Sequence, residues 1–302
     1  MANAASNLPH TRDTVAGSAF VFLAAIGFSA KAVMVKLAYS YPVDATTLLA
    51  LRMVFSVPFF LGLALWSGAD KGAARLVRRD WLLIAALGFV GYYLASFLDF
   101  LGLERISAGL ERLILFLYPT LVILLSALLF RRPIRPREVL ALLLSYAGIA
   151  LVFLHDVSLA RSGVASGAAL VFASALAYAV YLIGSGHAIA RVGATRFTAY
   201  AMTAACGASI LQFAVTHHLT ALRLPLRVYG LGLAMAIFST VLPAFLMSAG
   251  IRRIGAGRAS LVGAVGPVAT LFLAYVFLGE SLSLIQLQGA GLVLAGALIV
   301  SL

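Results

Sequence analysis

Acidic side chains are scarce in this chain of 302 residues: ten Asp and Glu stand against 22 Lys and Arg, and only 11% of residues are charged. That is too little charge to cover a water-soluble surface of this size. Cysteine occurs once, as Cys206, which excludes an intrachain disulfide and leaves redox chemistry without its usual pair. No His-Glu-x-x-His pattern occurs, so a metal-dependent membrane enzyme lacks its ligand set. The adjacent histidines His217 and His218 are expected in a solvated loop with no carboxylate nearby. A filter-like repeated loop, the mark of a selective channel, is also missing. No metal and no cofactor are expected.

Apolar length is what the chain has in quantity. It is 63% hydrophobic, with a mean hydropathy of +1.06, and the apolar stretches run to about 20 residues, the length that crosses a bilayer at 1.5 Å rise per residue. The expected architecture is all-α and polytopic. Spans are predicted near 14–38, 46–66, 81–102, 107–130, 137–154, 164–186, 195–216, 228–250, 257–278 and 284–302, after a disordered tail at 1–13. The first span is too long, and with Lys31 too charged, to be a signal peptide.

The chain also repeats itself. Gly102, Arg105, Ile106, Ala108, Gly109, Leu113, Pro119 and Leu125 each recur 148 positions later without a gap, and Gly148 recurs as Gly296. Two halves, 14–154 and 164–302, therefore derive from one unit of five spans. An odd number of spans per unit forces the second copy to enter the membrane upside down, the inverted-repeat plan of many secondary transporters.

Basic residues orient the chain. With the N-terminus inside, the inner segments carry 14 Lys and Arg, and the outer loops carry only Arg105, Arg161, Arg223 and Arg227. The positive-inside rule then places both termini in the cytoplasm. Topology thus accounts for the net charge of +12, and no folded basic face remains to suggest nucleic-acid binding. Trp66 and Trp81 flank the second basic loop, at the depth indoles favour.

The remaining cations, Lys31, Lys36, Arg52 and Arg112, fall inside spans, with the acids Asp99 and Glu111. A charge at mid-bilayer costs about 2.5–3.5 kcal/mol, so it normally faces protein or a wet cavity. Lys36, Asp99 and Glu111 lie close enough to span ends to snorkel outward instead. Lys31 and Arg52 are deeper and favour pairing or cavity lining, and Lys31 is expected to pair with Asp99 or Glu111. Among deep polar residues, Tyr92, Tyr93 and Tyr118 are candidate lining. So are Ser174, Tyr178 and Tyr181, which share one helix face with Ser185, and Ser239 and Thr240. Helix-to-helix hydrogen bonding is the plainer account of the same residues. Close glycines (Gly88 and Gly91, Gly263 and Gly266, Gly289 and Gly291) point to tight helix contacts. Pro119 and Pro267 form a matched pair near mid-span, candidate hinges or fixed kinks.

Ten spans in two inverted halves, with Tyr118-Pro119-Thr120 in the fourth span and Gly266-Pro267-Val268 in the ninth, resemble the EamA-type branch of the drug/metabolite transporter superfamily. The approach Ile254-Gly255-Ala256-Gly257-Arg258-Ala259 and the loop Leu278-Gly279-Glu280 carry the same likeness, which covers essentially the whole chain. Members commonly have Glu before the ninth-span proline. This chain has Gly266 there, so any role of that Glu does not carry over. Within the branch the chain is most similar to YddG-type bacterial amino-acid exporters. The resemblance implies a bacterial inner-membrane transporter, not an enzyme, working by alternating access on small molecules such as neutral or aromatic amino acids. Other metabolites or drugs are the alternative, because this fold carries many substrates. Its cavity would lie among spans one, three, four, six, eight and nine. The expected partners are substrate and lipid, with a monomer sufficient.

Overall fold

The computed structural model describes residues 11–68, 76–131, 133–158 and 163–301. Among these residues every regular element is helical. We number the helices α1 (Thr11–Ala38), α2 (Ala45–Gly68), α3 (Arg78–Leu103), α4 (Ala108–Phe130), α5 (Pro136–Ser158), α6 (Val164–Val192), α7 (Ala194–Thr216), α8 (Leu226–Gly255), α9 (residues 256–278) and α10 (Leu284–Ser301). Among the described residues eight helices are long and apolar enough to cross a membrane, and Gly266–Leu278 and Leu284–Ile299 are shorter apolar helices. Helix α1 begins at Thr11, inside the tail expected at 1–13, whose first ten residues lie outside the described ones.

Local chemistry sets the ends. Asp44 caps α2 by accepting the Thr47 N–H at 3.0 Å, and Ser107 caps α4 by accepting the Leu110 N–H at 3.1 Å. Ser283 and Gln286 exchange hydrogen bonds of 3.1 and 3.3 Å at the start of α10, a capping box. The start of α3 lies three residues before the predicted one. Its first turn is held by Asp80, which accepts the Val77 N–H at 2.9 Å and meets Arg191 Nη2 at 3.0 Å. Helix α6 runs six residues past its predicted end and stops at Gly193, whose φ of 86° turns the chain into α7.

Packing follows the repeat. Helix α1 lies on α8 and α9, and α6 lies on α3 and α4, while α2 pairs with α7 and α5 with α10. These contacts are what a two-fold axis exchanging the halves requires. The agreement reaches individual atoms at four glycines that lack room for a side chain. A Cβ on Gly17 would meet Ile254 Cγ2, Arg253 Cβ and the Gly250 carbonyl, and one on Gly167 would meet Ile106 Cγ2, Arg105 Cβ and the Gly102 carbonyl. In return, Gly250 faces Val21 and Gly17, and Gly102 faces Val171 and Gly167. The first contact lies on the side where α1 begins (the N side), and its copy lies on the far side, as inversion demands. The expected close approach also holds for Gly88, Gly91 and Gly289, but Gly263 and Gly291 face open space.

Two departures from α-helix recur at the same offset. Residues Phe89–Leu94 in α3 and Ile237–Val241 in α8 form π-helical turns, 148 positions apart. In each, an N–H bonds five residues back: Ala95 to Val90, and Leu242 to Ile237. Such turns often mark functional sites. Helices α4 and α9 also break alike, at 116–117 and 264–265. Pro119 and Pro267 are therefore not kinks in continuous helices. Each sits in the first turn of the helix after the break, Tyr118–Phe130 or Gly266–Leu278, where its missing N–H costs nothing.

Candidate functional site

The site lies where the broken and bulged helices meet. Its charged layer is built by α1, α2, α3 and α4. Lys31 Nζ donates to Asp99 Oδ2 at 2.5 Å and lies 3.1 Å from Glu111 Oε1, an ion pair without hydrogen-bond geometry. Asp99 and Glu111 are 1% and 0% exposed, so neither snorkels as their position near span ends allowed; both are enclosed. Lys36 also stays with the protein, donating to the carbonyls of Leu103 and Ile106 at 3.1 Å each. Arg52 is buried, donates through Nε to Thr240 Oγ1 at 3.0 Å and lies over the Phe100 ring, while its Nη1 has no partner. The π turn in α8 explains how Thr240 is placed. Within it the Ser239 and Thr240 hydroxyls both donate to the Met235 carbonyl, at 3.1 and 3.0 Å.

Toward the N side follows an aromatic layer. The Tyr92 and Tyr181 hydroxyls are 2.9 Å apart, the Tyr181 ring stacks on Tyr178, and Tyr178 meets the edge of Tyr118. Gly91 makes this possible, since a Cβ there would collide with the Tyr181 ring. Tyr93 does not join: it packs against Phe89 and Phe97 of its own helix. Ser174 is buried and donates to the Ala95 carbonyl at 2.7 Å, so it ties α6 to α3. Ser239 is likewise buried and bonded inside α8. Both hydroxyls are held as the plainer account describes, by bonding between and within helices.

Below Tyr118 opens a cleft of about 740 Å³ between α4 and α6, lined by Tyr118, Val122, Ser126 and Phe130 on one wall and Leu182, Gly186 and Ala190 on the other. It spans about 18 Å at 1.5 Å per residue from Tyr118 to Phe130, reaching the N-side ends of both helices. The far side is tied shut. Besides the Lys36 bonds, Tyr39 donates to the Phe100 carbonyl, the Ala45 N–H to Glu104 and the Ala108 N–H to Glu280. Fully buried Leu48, Leu49, Leu103 and Leu110 fill the space between. His217, expected to lack a carboxylate, lies 3.4 Å from Asp44, because the fold brings together loops 173 residues apart. Among the described residues no cluster of His, Cys, Asp and Glu has the makings of a metal site.

This arrangement, a polar and aromatic centre inside an inverted pair of helical repeats, defines a multi-pass membrane transporter. The chain belongs to the EamA-like transporter family, which matches residues 15–154 and 165–302. It is 33% identical over 285 residues to the uncharacterized transporter YcbK of Bacillus subtilis (strain 168), covering 93% of this chain and 91% of that one. The uncharacterized transporter YyaM of the same organism is 25% identical over 228 residues, 74% of each chain. One crystal structure superposes with a TM-score of 0.64 at 21% identity, covering 95% of this chain and 97% of that one, a likeness of fold. The protein is a transporter and not an enzyme.

Proposed function

We propose that the protein exports small metabolites, neutral and aromatic amino acids among them, across a bacterial inner membrane by alternating access, with both termini in the cytoplasm. The observation that carries this reading is the asymmetry of access. An apolar cleft reaches from the N side to the tyrosine layer, while hydrogen bonds and packed leucines close the other side. A solute entering from the N side would meet Tyr118 at the cleft's inner end and the charged layer beyond. The excess of Lys and Arg on N-side segments supports reading that side as the cytoplasmic one. Mostly apolar walls, with few fixed charges at their end, suit a compact zwitterion with an apolar side chain. The chain holds both repeats, so a monomer suffices.

Purified protein in proteoliposomes tests the reading with labelled neutral amino acids. Saturable uptake that accelerates when unlabelled substrate is loaded on the opposite side is the expected result, because a carrier counter-exchanges and a channel does not. Transport of sugar phosphates with none of any neutral amino acid overturns the substrate assignment.

A further inference from the structure

The charges at the centre of the bundle do not balance. Lys31, Arg52 and Arg112 are three cationic side chains against two acids, Asp99 and Glu111. Lys31 lies against both carboxylates, and Arg52 is held by Thr240 and Phe100. Arg112 has neither arrangement. Among the described residues its side chain makes no ion pair and no hydrogen bond, and its Nε is buried without a partner. Its guanidinium lies over the Phe116 ring, and its Nη2 sits 2.9 Å from where a Cβ on Gly266 would be. Gly266 is the counterpart of Tyr118, so the guanidinium occupies room that a side chain fills in the other half.

A guanidinium within a membrane-spanning bundle is costly without a counter-charge. Its planar fork matches a carboxylate, which it grips with two parallel hydrogen bonds. The aromatic chain Phe116, Tyr118, Tyr178 leads from Arg112 to the end of the cleft. We infer that Arg112 is the docking group for the carboxylate of the transported solute. The substrate class is then small monocarboxylates whose apolar or aromatic remainder lies against Tyr118 and Tyr178. The carboxylate supplies the counter-charge that the Arg112 guanidinium lacks, whether or not the solute also carries an ammonium, whereas a second carboxylate or a phosphate dianion brings negative charge that no further unengaged cation meets. The inference rests on the proposed function in placing the transport path through this centre.

The test uses the full chain in proteoliposomes and three probes of one shape: L-phenylalanine, 3-phenylpropionate, which lacks the amine, and phenylethylamine, which lacks the carboxylate. We expect both carboxylates to be taken up and the amine at least about tenfold more slowly, because a site built around a polar partner rejects an analogue lacking it. Arg112→Gln is expected to remove the preference and Arg112→Lys to restore part of it. Uptake of phenylethylamine as fast as phenylalanine, or an unchanged preference in Arg112→Gln, overturns the inference and leaves the amino-acid reading standing. Uptake of 3-phenylpropionate without phenylalanine supports the inference and overturns that reading. Uptake of none of the three overturns both.

Discussion

Lys36 and Gly186 occupy the same place in the two repeats, 150 positions apart like Gly17 and Gly167, and only Lys36 has a side chain that can tie helices together. It bonds the carbonyls at the end of α3 and just beyond, while Gly186 lines the cleft. Replacing Lys36 by Met is therefore expected to loosen the far side by about 1–2 kcal/mol, or about 5–30-fold in the open population. A cysteine at Ile106, now buried, reports it in a Cys206→Ser background. Labelling from the far side should rise with Lys36→Met, and an unchanged rate would remove the tie.

Lys31 carries a heavier consequence. Lys31→Leu leaves Asp99 and Glu111 enclosed beside each other without their cation. A broken buried pair typically costs about 3–5 kcal/mol, so the melting temperature in detergent should drop sharply. The triple change Lys31→Leu, Asp99→Asn and Glu111→Gln should recover most of the loss. If Lys31→Leu melts and transports like the wild type, the pair contributes neither to stability nor to function.

The glycine contacts make a symmetrical prediction. Gly17→Ala and Gly167→Ala each drive a Cβ against an Ile methyl, an Arg Cβ and a carbonyl of the facing helix. Overpacking of this kind costs about 1–3 kcal/mol, and the two variants should lose similar amounts in thermal melts. A large loss in one and none in the other would mean that the halves are less alike in packing than in sequence.

Much of this was legible in the sequence because scarcity is informative. Few charges lie in the spans, so Lys31 had few acids to choose from, and it meets both Asp99 and Glu111. The offset of 148 foretold two matching halves. Less legible was what depends on backbone shape. Phe89–Leu94 and the equivalent residues 237–242 match only at Leu94 and Leu242, so nothing in the letters announced the π turns, and with them went the partner of Arg52. Serines misled for a related reason. A hydroxyl at mid-span reads alike whether it faces a cavity or a carbonyl, and Ser174 and Ser239 face carbonyls. The meeting of Asp44 and His217 depends on two loops that only the fold makes neighbours.

That far-side loop is the place to look for pH dependence. Burial pushes the Asp44 carboxyl upward, but hydrogen bonds from the Thr47 hydroxyl and N–H, with the charge of His217, outweigh it and hold it below the usual 3.8. A depressed folded value means that the contribution is full above about pH 4 and is lost as pH falls through the folded value. Asp44→Ala should cost about 1 kcal/mol at neutral pH, as for other helix caps, and the gap from wild type should close in strong acid. Melts at pH 7 and pH 3 check this, and a gap that widens in acid contradicts it.

The paired π turns share one place in the repeat. A turn closed by a bond to the fifth residue holds one more residue than an α-turn, so each is the trace of a single inserted position. Had that insertion entered one half after the chain doubled, the two halves would slip by one residue on either side of it. Within these helices they do not: Arg79 and Leu83 before the turn in α3 match Arg227 and Leu231 in α8 at an offset of 148, and Gly102 and Arg105 beyond it match Gly250 and Arg253 at the same offset, the step from 150 falling earlier in the chain. The two halves thus carry the extra residue at the same place, as a turn belonging to the repeated five-helix unit would be. Across the two turns only Leu94 and Leu242 match, so one backbone shape is held while nearly every side chain on it differs.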